Sequence, residues 1–297
     1  MQNLDCLFIG SATYDILMLV TAPPQSDMRI AATRMAVAGG GPASTASVAF
    51  HSLGGRAGLI SAVGNDDTGR SIRADLENFG FPLLDLHVID GAPSSLSTIQ
   101  VEEGGKRCIT HFGGCIGHLT FDMLDKKVFE QARYVHLAGS LEQLFLPIAK
   151  YCKENTSALV SVDGGNYSRE FTDAILPYTD IFIPDDKTAR KSIGLEAREA
   201  CRYYYERGPG TVCVTRGPDG SIAYDGSRFY EEEAFPVKVL DTTGAGDNFH
   251  GAFLYAHTQG WPLPKVLRFS SIFSSMTCTG LGGREATPAL DEVLKEM

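Results

Sequence analysis

The sequence predicts an α/β fold in which helices cover both faces of a mostly parallel sheet, with a small β-flap beside it. Apolar strand segments alternate with helical segments along most of the 297 residues, a pattern typical of parallel sheets. Two stretches break this alternation with short strand patterns, as expected for a flap. No repeat and no linker rich in Pro or Ser divides the chain, so we predict one domain over residues 1–297.

The first half of the chain predicts two strand–helix pairs. Residues 5–10 form an apolar opening strand. Pro42 suits the first turn of a helix, and the pair Gly54-Gly55 ends it. Residues 57–64 then predict a strand, and residues 67–80 predict a helix that Gly80 closes.

The second half continues the alternation. Strands are predicted at residues 134–139, 158–165, 180–186 and 211–217, with a helix after the first and one helix reaching about Arg207 before the last. The flap is predicted from antiparallel strand patterns in two segments, at about residues 13–36 and 95–114. Gly104 and Gly105 stand where the second segment needs a hairpin turn.

Composition excludes several function classes. The chain has 26 basic and 36 acidic residues, a net charge of −10, and no basic run, which argues against nucleic-acid binding. No stretch approaches the ~18 apolar residues of a membrane span. Seven cysteines without a C-x-x-C pair fit reduced thiols, so we expect a cytoplasmic protein.

The strongest motif is DTTGAGDNFHGAF, residues 241–253. Gly244, Ala245 and Gly246 precede a helical apolar pattern, and the amides at such a helix start favour an anion. Asp247, in the first turn, is placed to take a proton from a hydroxyl that attacks a bound phosphate. The alternative is that Asp247 only caps the helix.

Two common phosphate motifs are missing. No G-x-x-x-x-G-K-[ST] occurs, which argues against a P-loop NTPase. No G-x-G-x-x-G opens a helix after the first strand, which argues against a Rossmann dehydrogenase.

Two segments, in order, resemble the signatures of the ribokinase-like (PfkB) carbohydrate kinases. They are GGGPASTASVAFHSLGGRAGLISAVGNDDTG, residues 39–69, and DTTGAGDNFHGAF. The resemblance extends nearly from end to end. It implies a three-layer α/β/α sandwich with a β-flap lid, and an enzyme that phosphorylates a sugar hydroxyl with ATP and Mg²⁺.

The resemblance assigns roles at the phosphoryl-transfer site. It makes Asp247 the general base, and it makes the amides of Gly244, Ala245 and Gly246 the anion hole. On the sugar side it assigns substrate binding to a further set of residues, namely Asp15, Gly39, Gly40 and Ser44.

The resemblance also assigns the nucleotide and cation sites. Thr215, Gly217 and Gly220 match the strand and turn that bind the nucleotide. Asp241 and Thr243 match positions that bind a monovalent cation such as K⁺ in some members. Mg²⁺ arrives bound to the phosphates of ATP.

This chain departs from the family pattern at two places. Ser44 replaces an Asn that contacts the sugar in many members, which puts a ribose-type substrate in doubt. Asp185 and Thr188 replace the Asn and Glu of an N-x-x-E stretch that supports Mg²⁺ and phosphate binding. We therefore expect metal handling to depend on Asp185, Asp186 or water.

Several segments, among them GLGGREATP, resemble bacterial sulfofructose kinases and their relatives. A ketose or modified ketose is therefore the first candidate substrate, with Arg284 or His111 facing its anionic end. A nucleoside kinase and a catalytically silent sugar-binding or regulatory protein are the alternatives. Exposed strand edges in the flap also allow a homodimer through the lid.

Overall fold

A computed structural model describes residues 4–297 and contains two sheets. Within these residues the strands are β1 (Leu4–Gly10), β2 (Thr13–Val20), β3 (Arg34–Gly40), β4 (Ala57–Gly64), β5 (Leu83–Ile89), β6 (Leu96–Glu102), β7 (Arg107–Phe112), β8 (Ala132–Ala138), β9 (Leu159–Asp163), β10 (Ile181–Ile183), β11 (Thr211–Thr215), β12 (Ser221–Tyr224) and β13 (Phe229–Glu232). The main sheet has nine strands in the order β13-β12-β11-β10-β9-β8-β1-β4-β5. Strands from β11 to β5 are parallel, and β12 and β13 are antiparallel to their neighbours.

Helices cover both faces of the main sheet. They are α1 (Pro42–Ser52), α2 (Asp67–Glu77), α3 (Lys127–Glu130), α4 (Glu142–Asn155), α5 (Arg169–Ile175), α6 (Asp186–Ile193), α7 (Ala197–Tyr205), α8 (Ala245–Thr258), α9 (Leu263–Thr277) and α10 (Leu290–Lys295). One apolar core joins the sheet to α4, α5 and α7, and a second joins it to α1, α8 and α9. The predicted three-layer α/β/α sandwich is confirmed.

The second sheet has four strands in the order β3-β2-β6-β7 and comes from the two predicted flap segments. The β2–β3 and β6–β7 pairs are antiparallel, whereas the central β2–β6 pair is parallel. Gly104 and Gly105 make the predicted hairpin turn, both with positive φ, at 88° and 82°. Strand β3 continues past the predicted end at about residue 36, because Thr13 of β2 still pairs with Gly40.

Some predicted boundaries differ from the structure. The single helix expected to reach Arg207 is two helices, because Gly194 ends α6 in the left-handed region at φ 71°. Strands β5, β12 and β13 and helices α3, α5, α9 and α10 were also not predicted from the sequence. Within residues 4–297, no helix combines the length and apolarity that a membrane span requires.

Candidate active site

The GAGD segment, residues 244–247, starts helix α8. Gly244 is the N-cap residue at φ 73°, and no side chain caps the helix. Asp247 therefore lies in the first turn without serving as the cap, and the capping interpretation is wrong. A Cβ atom added to Gly246 would meet no atom within 4 Å, so the space beside this helix start is open.

Asp241 anchors the chain that leads into the GAGD segment. Its carboxylate is fully buried and accepts hydrogen bonds from the Thr243 amide at 2.9 Å and the Thr243 hydroxyl at 2.7 Å. The Gly282 amide donates to its other oxygen at 2.7 Å. The two residues predicted to bind a monovalent cation thus contact each other directly.

Asp247 lies among charged groups from several elements. Its pKa is raised to about 8, first because burial disfavours the carboxylate and then because Asp163 adds negative charge. Asp15 acts in the same direction, while the cations of Arg107 and Arg284 oppose the shift. The predicted base and the predicted sugar-binding residue, Asp15, are therefore close enough for their charges to interact.

Asp15, which is predicted to bind sugar hydroxyls, lies on β2. It is buried and accepts a 2.7 Å hydrogen bond from the Thr13 hydroxyl. A Cβ atom on Gly40 would lie 1.9 Å from Asp15 Oδ2. Glycine at position 40 therefore leaves the space that the Asp15 carboxylate occupies.

The flap contributes a second polar pair near Asp15. The His111 Nδ1 atom lies 3.2 Å from the Ser97 hydroxyl, on neighbouring strands of the small sheet. Burial raises the pKa of Asp15, while hydrogen bonds from Thr13 and Ser97 and the charges of Arg284 and His111 oppose this. Both residues predicted to face an anionic substrate end thus act on Asp15.

Gly39 and Ser44 contact Arg284. A Cβ atom on Gly39 would lie 2.1 Å from Asp75 Oδ2 and 2.2 Å from Arg284 Nη1. Ser44 is fully buried; its hydroxyl donates to the Gly40 carbonyl and accepts a 2.7 Å bond from Arg284 Nη2. The Ser44 hydroxyl therefore already makes hydrogen bonds to other residues of the protein.

The predicted nucleotide residues follow β11. Thr215 ends this strand, and Gly217 adopts φ 58° with nothing within 4 Å of an added Cβ atom. Gly220 adopts φ 79°, where a Cβ atom would lie 2.0 Å from the Glu232 carbonyl oxygen. This turn is at the carboxyl edge of the parallel sheet, where ligands of α/β folds usually bind.

The divergent DDKT stretch forms a helix cap. Asp185 caps α6, with one oxygen accepting from the Thr188 amide at 2.8 Å and the other from the Thr188 hydroxyl at 2.9 Å. Asp186 forms an ion pair with Arg190 at 3.2 Å. Asp185 also bridges to Thr215, which connects this cap to the nucleotide strand.

Two charged residues near Asp247 are not among those predicted from the sequence. Asp163 ends β9, and Arg107 begins β7 and donates a hydrogen bond to the Thr242 hydroxyl. A carboxylate at the carboxyl end of an apolar strand is a pattern that could have identified Asp163 from the sequence. No local pattern distinguished Arg107 from the other surface arginines.

Comparison with known proteins identifies the family. The model of the pfkB family carbohydrate kinases matches residues 3–290. The chain belongs to this family. The enzyme is therefore a carbohydrate kinase, as predicted.

Relatives of this pfkB-family kinase cover nearly its whole length. It is 25% identical over 289 residues to the ATP-dependent ribose-1-phosphate kinase of Halopiger xanaduensis, covering 97% of this chain and 96% of that protein. It is 24% identical over 303 residues to the nucleoside kinase of Methanothermobacter thermautotrophicus, covering 99% and 96%. A crystal structure from Agrobacterium tumefaciens, provisionally assigned as a ribokinase, superimposes with a TM-score of 0.90 at 28% identity, covering 99% and 97%.

Proposed function

We propose that this kinase transfers the γ-phosphoryl group of ATP to a hydroxyl of a small sugar, with a ketose or modified ketose favoured. One observation carries the proposal. Asp247 lies in the first turn of α8, where its side chain does not cap the helix, and the space beside the helix start is open. It is also close enough to Asp15 for the charge of Asp15 to raise its pKa. These positions support a base, an anion site and a hydroxyl-binding carboxylate acting together on one acceptor.

Asp247 is the general base of this proposal. A carboxylate with an ordinary pKa is a weak base, whereas a pKa of about 8 suits removal of a hydroxyl proton near neutral pH. The proton moves from the sugar hydroxyl to an Asp247 carboxylate oxygen as the new O–P bond forms. The bond between the γ-phosphorus and the β–γ bridging oxygen breaks, and ADP leaves. Positioning and charge stabilisation supply most of the catalysis in such a transfer.

The amides of Gly244, Ala245 and Gly246 form the proposed anion hole. The helix dipole and the amides of the first turn favour a negatively charged group there. The Ala245 amide donates to the Thr242 carbonyl oxygen at 3.2 Å, so a bound phosphoryl group would share or replace that hydrogen bond. Arg107 adds a positive charge from the flap, since it bonds Thr242 and lowers the pKa of Asp247. Amides and guanidinium together stabilise charge on the transferred phosphoryl group.

The nucleotide is proposed to bind against Thr215, Gly217 and Gly220. The open side of Gly217 lets a ligand approach the backbone closely. The relative named as an ATP-dependent kinase supports ATP as the donor. Mg²⁺ would neutralise charge on the phosphates, and because Asp185 already bonds Thr188, we expect phosphates and water to supply most of its ligands.

A monovalent cation near Asp241 and Thr243 remains part of the proposal. Both Asp241 oxygens already accept hydrogen bonds, so its negative charge is present but its coordination is largely satisfied. Comparing ADP release in K⁺ with release in tetramethylammonium at equal ionic strength tests this. Equal rates would remove K⁺ from the scheme.

The polar side chains around Asp15 support a sugar rather than a nucleoside as the acceptor. Asp15, Ser97, His111 and Arg284 make this side polar, whereas a purine needs an apolar, aromatic-lined wall. A coupled ADP-release screen over ketoses, aldoses, their phosphates and sulfonates, and nucleosides tests the assignment. Highest kcat/KM for a ketose supports it, nucleosides as sole substrates would favour the rival, and no turnover at all would favour a silent protein.

We also propose that two copies of the chain pair through the flap. Met35, Val37 and Phe112 are 64%, 48% and 54% exposed on the small sheet, an unusual density of large apolar side chains. Sedimentation velocity of the protein and of a Val37→Lys variant tests the pairing. A monomer at every concentration for the unmodified protein would contradict it.

We place the reaction in the cytoplasm, where ATP is available. All seven cysteines lie within the described residues, none is in a disulfide, and only Cys108 is exposed. Such thiols suit a reducing compartment. Fractionation of cells that produce the protein tests this placement.

A further inference from the structure

The loop of residues 281–285 joins the separate parts of the site. Leu281 packs against the buried apolar side chains of the flap. The Gly282 amide donates to Asp241, and the Gly283 carbonyl accepts from the Asn248 side chain at 2.8 Å. The loop therefore links the flap, the GAGD segment and helix α8, and its next residue, Arg284, reaches the acceptor side.

The Arg284 side chain is only 8% exposed and lies between two helices. Its Nη1 atom pairs with Asp75 of α2 at 2.5 Å. Its Nη2 atom donates to the Ser44 hydroxyl of α1 at 2.7 Å and lies 3.4 Å from the Gly40 carbonyl oxygen. Its Nε atom is buried and has no hydrogen-bond partner in the described part of the chain.

We propose that Arg284 is a positioning residue that fixes the acceptor side of the site by clamping residues 39–41 and Ser44 to Asp75. This inference rests on the proposed sugar kinase function. Ser44 uses its proton for the Gly40 carbonyl and accepts from Arg284, so its hydroxyl orientation is set by the clamp. Arg284 thereby acts on the acceptor through the backbone that surrounds Asp15.

The contacts of Arg284 with α1 and α2 explain why a guanidinium is suited to position 284. The fork of Nη atoms reaches an acceptor on α2 and an acceptor on α1 at the same time, which a single ammonium does poorly. A side chain on Gly39 would occupy the position of both Arg284 Nη1 and Asp75 Oδ2, so the glycine admits the pair. Burial lowers the pKa of Arg284, and the charges of Asp75, Asp15 and Asp247 oppose this shift without cancelling it.

The charge of Arg284 also reaches the proposed base. Four groups face Asp247 from different elements: Asp163 of β9 and Asp15 of β2 raise its pKa, and Arg107 of β7 and Arg284 lower it. Removing the Arg284 charge therefore raises the pKa of Asp247. A role confined to packing would not produce this shift.

The test compares two double variants. Arg284→Met with Asp75→Asn removes the clamp without leaving either charge unpaired. The control, Lys295→Met with Asp291→Asn, removes an ion pair on α10 whose side chains are 70% and 71% exposed. We expect the clamp variant to raise the sugar KM roughly tenfold or more, and the control to stay within about twofold. The KM for ATP should change little in both.

A conservative variant separates geometry from charge. Arg284→Lys keeps the cation but loses the fork, so we expect the sugar KM to rise while the acid limb of the kcat/KM profile stays in place. In Arg284→Met with Asp75→Asn, that limb should move to higher pH. A sugar KM and a pH limb equal to those of the control would overturn the proposal.

A readout independent of turnover distinguishes this proposal from the kinase assignment. Hydrogen exchange of residues 39–47 should quicken in the clamp variant and not in the control, whatever the substrate proves to be. Unchanged exchange would overturn the clamp even if the kinase assignment held. Quickened exchange with no turnover by the unmodified protein would keep the structural clamp but remove its proposed role in sugar binding.

Discussion

The Thr242 hydroxyl donates a 2.9 Å hydrogen bond to the Gly105 carbonyl oxygen at the tip of the flap hairpin. Gly105 also pairs with Asp241, and a Cβ atom on Gly105 would lie 2.5 Å from a Val239 methyl group. The flap tip therefore packs on the chain that leads into the GAGD segment. This contact places Arg107, which follows the hairpin, beside the proposed site of phosphoryl transfer.

Replacing Arg107 with Met should lower kcat by about tenfold to a hundredfold, because a cation that stabilises transferred charge is lost. Steady-state ADP release measures the effect. Lys106→Met is the matched control, since Lys106 is a neighbouring exposed cation. Equal kcat values for the two variants would exclude Arg107 from charge stabilisation.

Replacing Asp247 with Asn should lower kcat by about a hundredfold to ten-thousandfold, because the base is lost, while ATP binding persists. ADP release and calorimetric ATP titration measure the two quantities. Asp67→Asn is the control: Asp67 is also in a helix first turn, but its side chain is 97% exposed. A variant that kept its phosphorylation rate would show that the base assignment is wrong.

The raised pKa of Asp247 predicts the pH profile. A base must be ionised, so kcat/KM should increase with pH through an apparent pKa of about 8 and level off above it. Because Asp163 lies close enough to shift Asp247, the apparent value belongs to the interacting pair. A profile that is already flat from about pH 5 would contradict the assignment.

The sequence predicted contiguous parts of the site better than dispersed ones. Gly244 and Asp247 stand in one short motif, so local pattern and resemblance were enough to identify them. The contacts of Ser44 depend on Arg284, which is far away along the chain and reaches α1 only after the fold forms. The sequence alone showed that Ser44 departs from the family pattern. It could not show that Arg284 is the hydrogen-bond partner of Ser44.

The same distinction applies to the fold. Strand β4 matched its predicted residues because a wholly buried strand has a strong apolar pattern. Helices α6 and α7 were merged because Gly194 is tolerated within a helical pattern, and its left-handed conformation is visible only in three dimensions. The parallel pairing of β2 with β6 joins two separate segments, which no local signal encodes.

Asp247 should also make stability depend on pH. Its pKa is raised from an ordinary value of 3.8 to about 8 in the folded protein, so the carboxyl group keeps its proton to about pH 8. The folded state binds more protons between these values, so this group lowers the free energy of unfolding as pH rises through the window. Asp247→Asn removes this contribution, and its stability advantage over the unmodified protein should grow up to about pH 8 and then stay constant.

Chemical denaturation at about pH 5, 7 and 9 measures this dependence. Asp67→Asn again serves as the control, since an exposed carboxylate should give a small difference at every pH. An advantage of Asp247→Asn that shrinks as pH rises would show that the carboxylate is stabilised by its surroundings.

Gly40→Ala should disrupt sugar binding while the fold survives. The new Cβ atom would lie 1.9 Å from Asp15 Oδ2 and 2.9 Å from Thr13 Oγ1, so the Asp15 side chain must turn away from its present position. We expect the sugar KM to rise about tenfold to a hundredfold, because a charged hydrogen-bond partner is displaced. The KM for ATP should be unchanged. Gly117→Ala is the control, since Gly117 is exposed and an added Cβ atom there meets nothing within 4 Å. If both alanine variants kept the sugar KM of the unmodified protein, Asp15 would not be the residue that binds the acceptor.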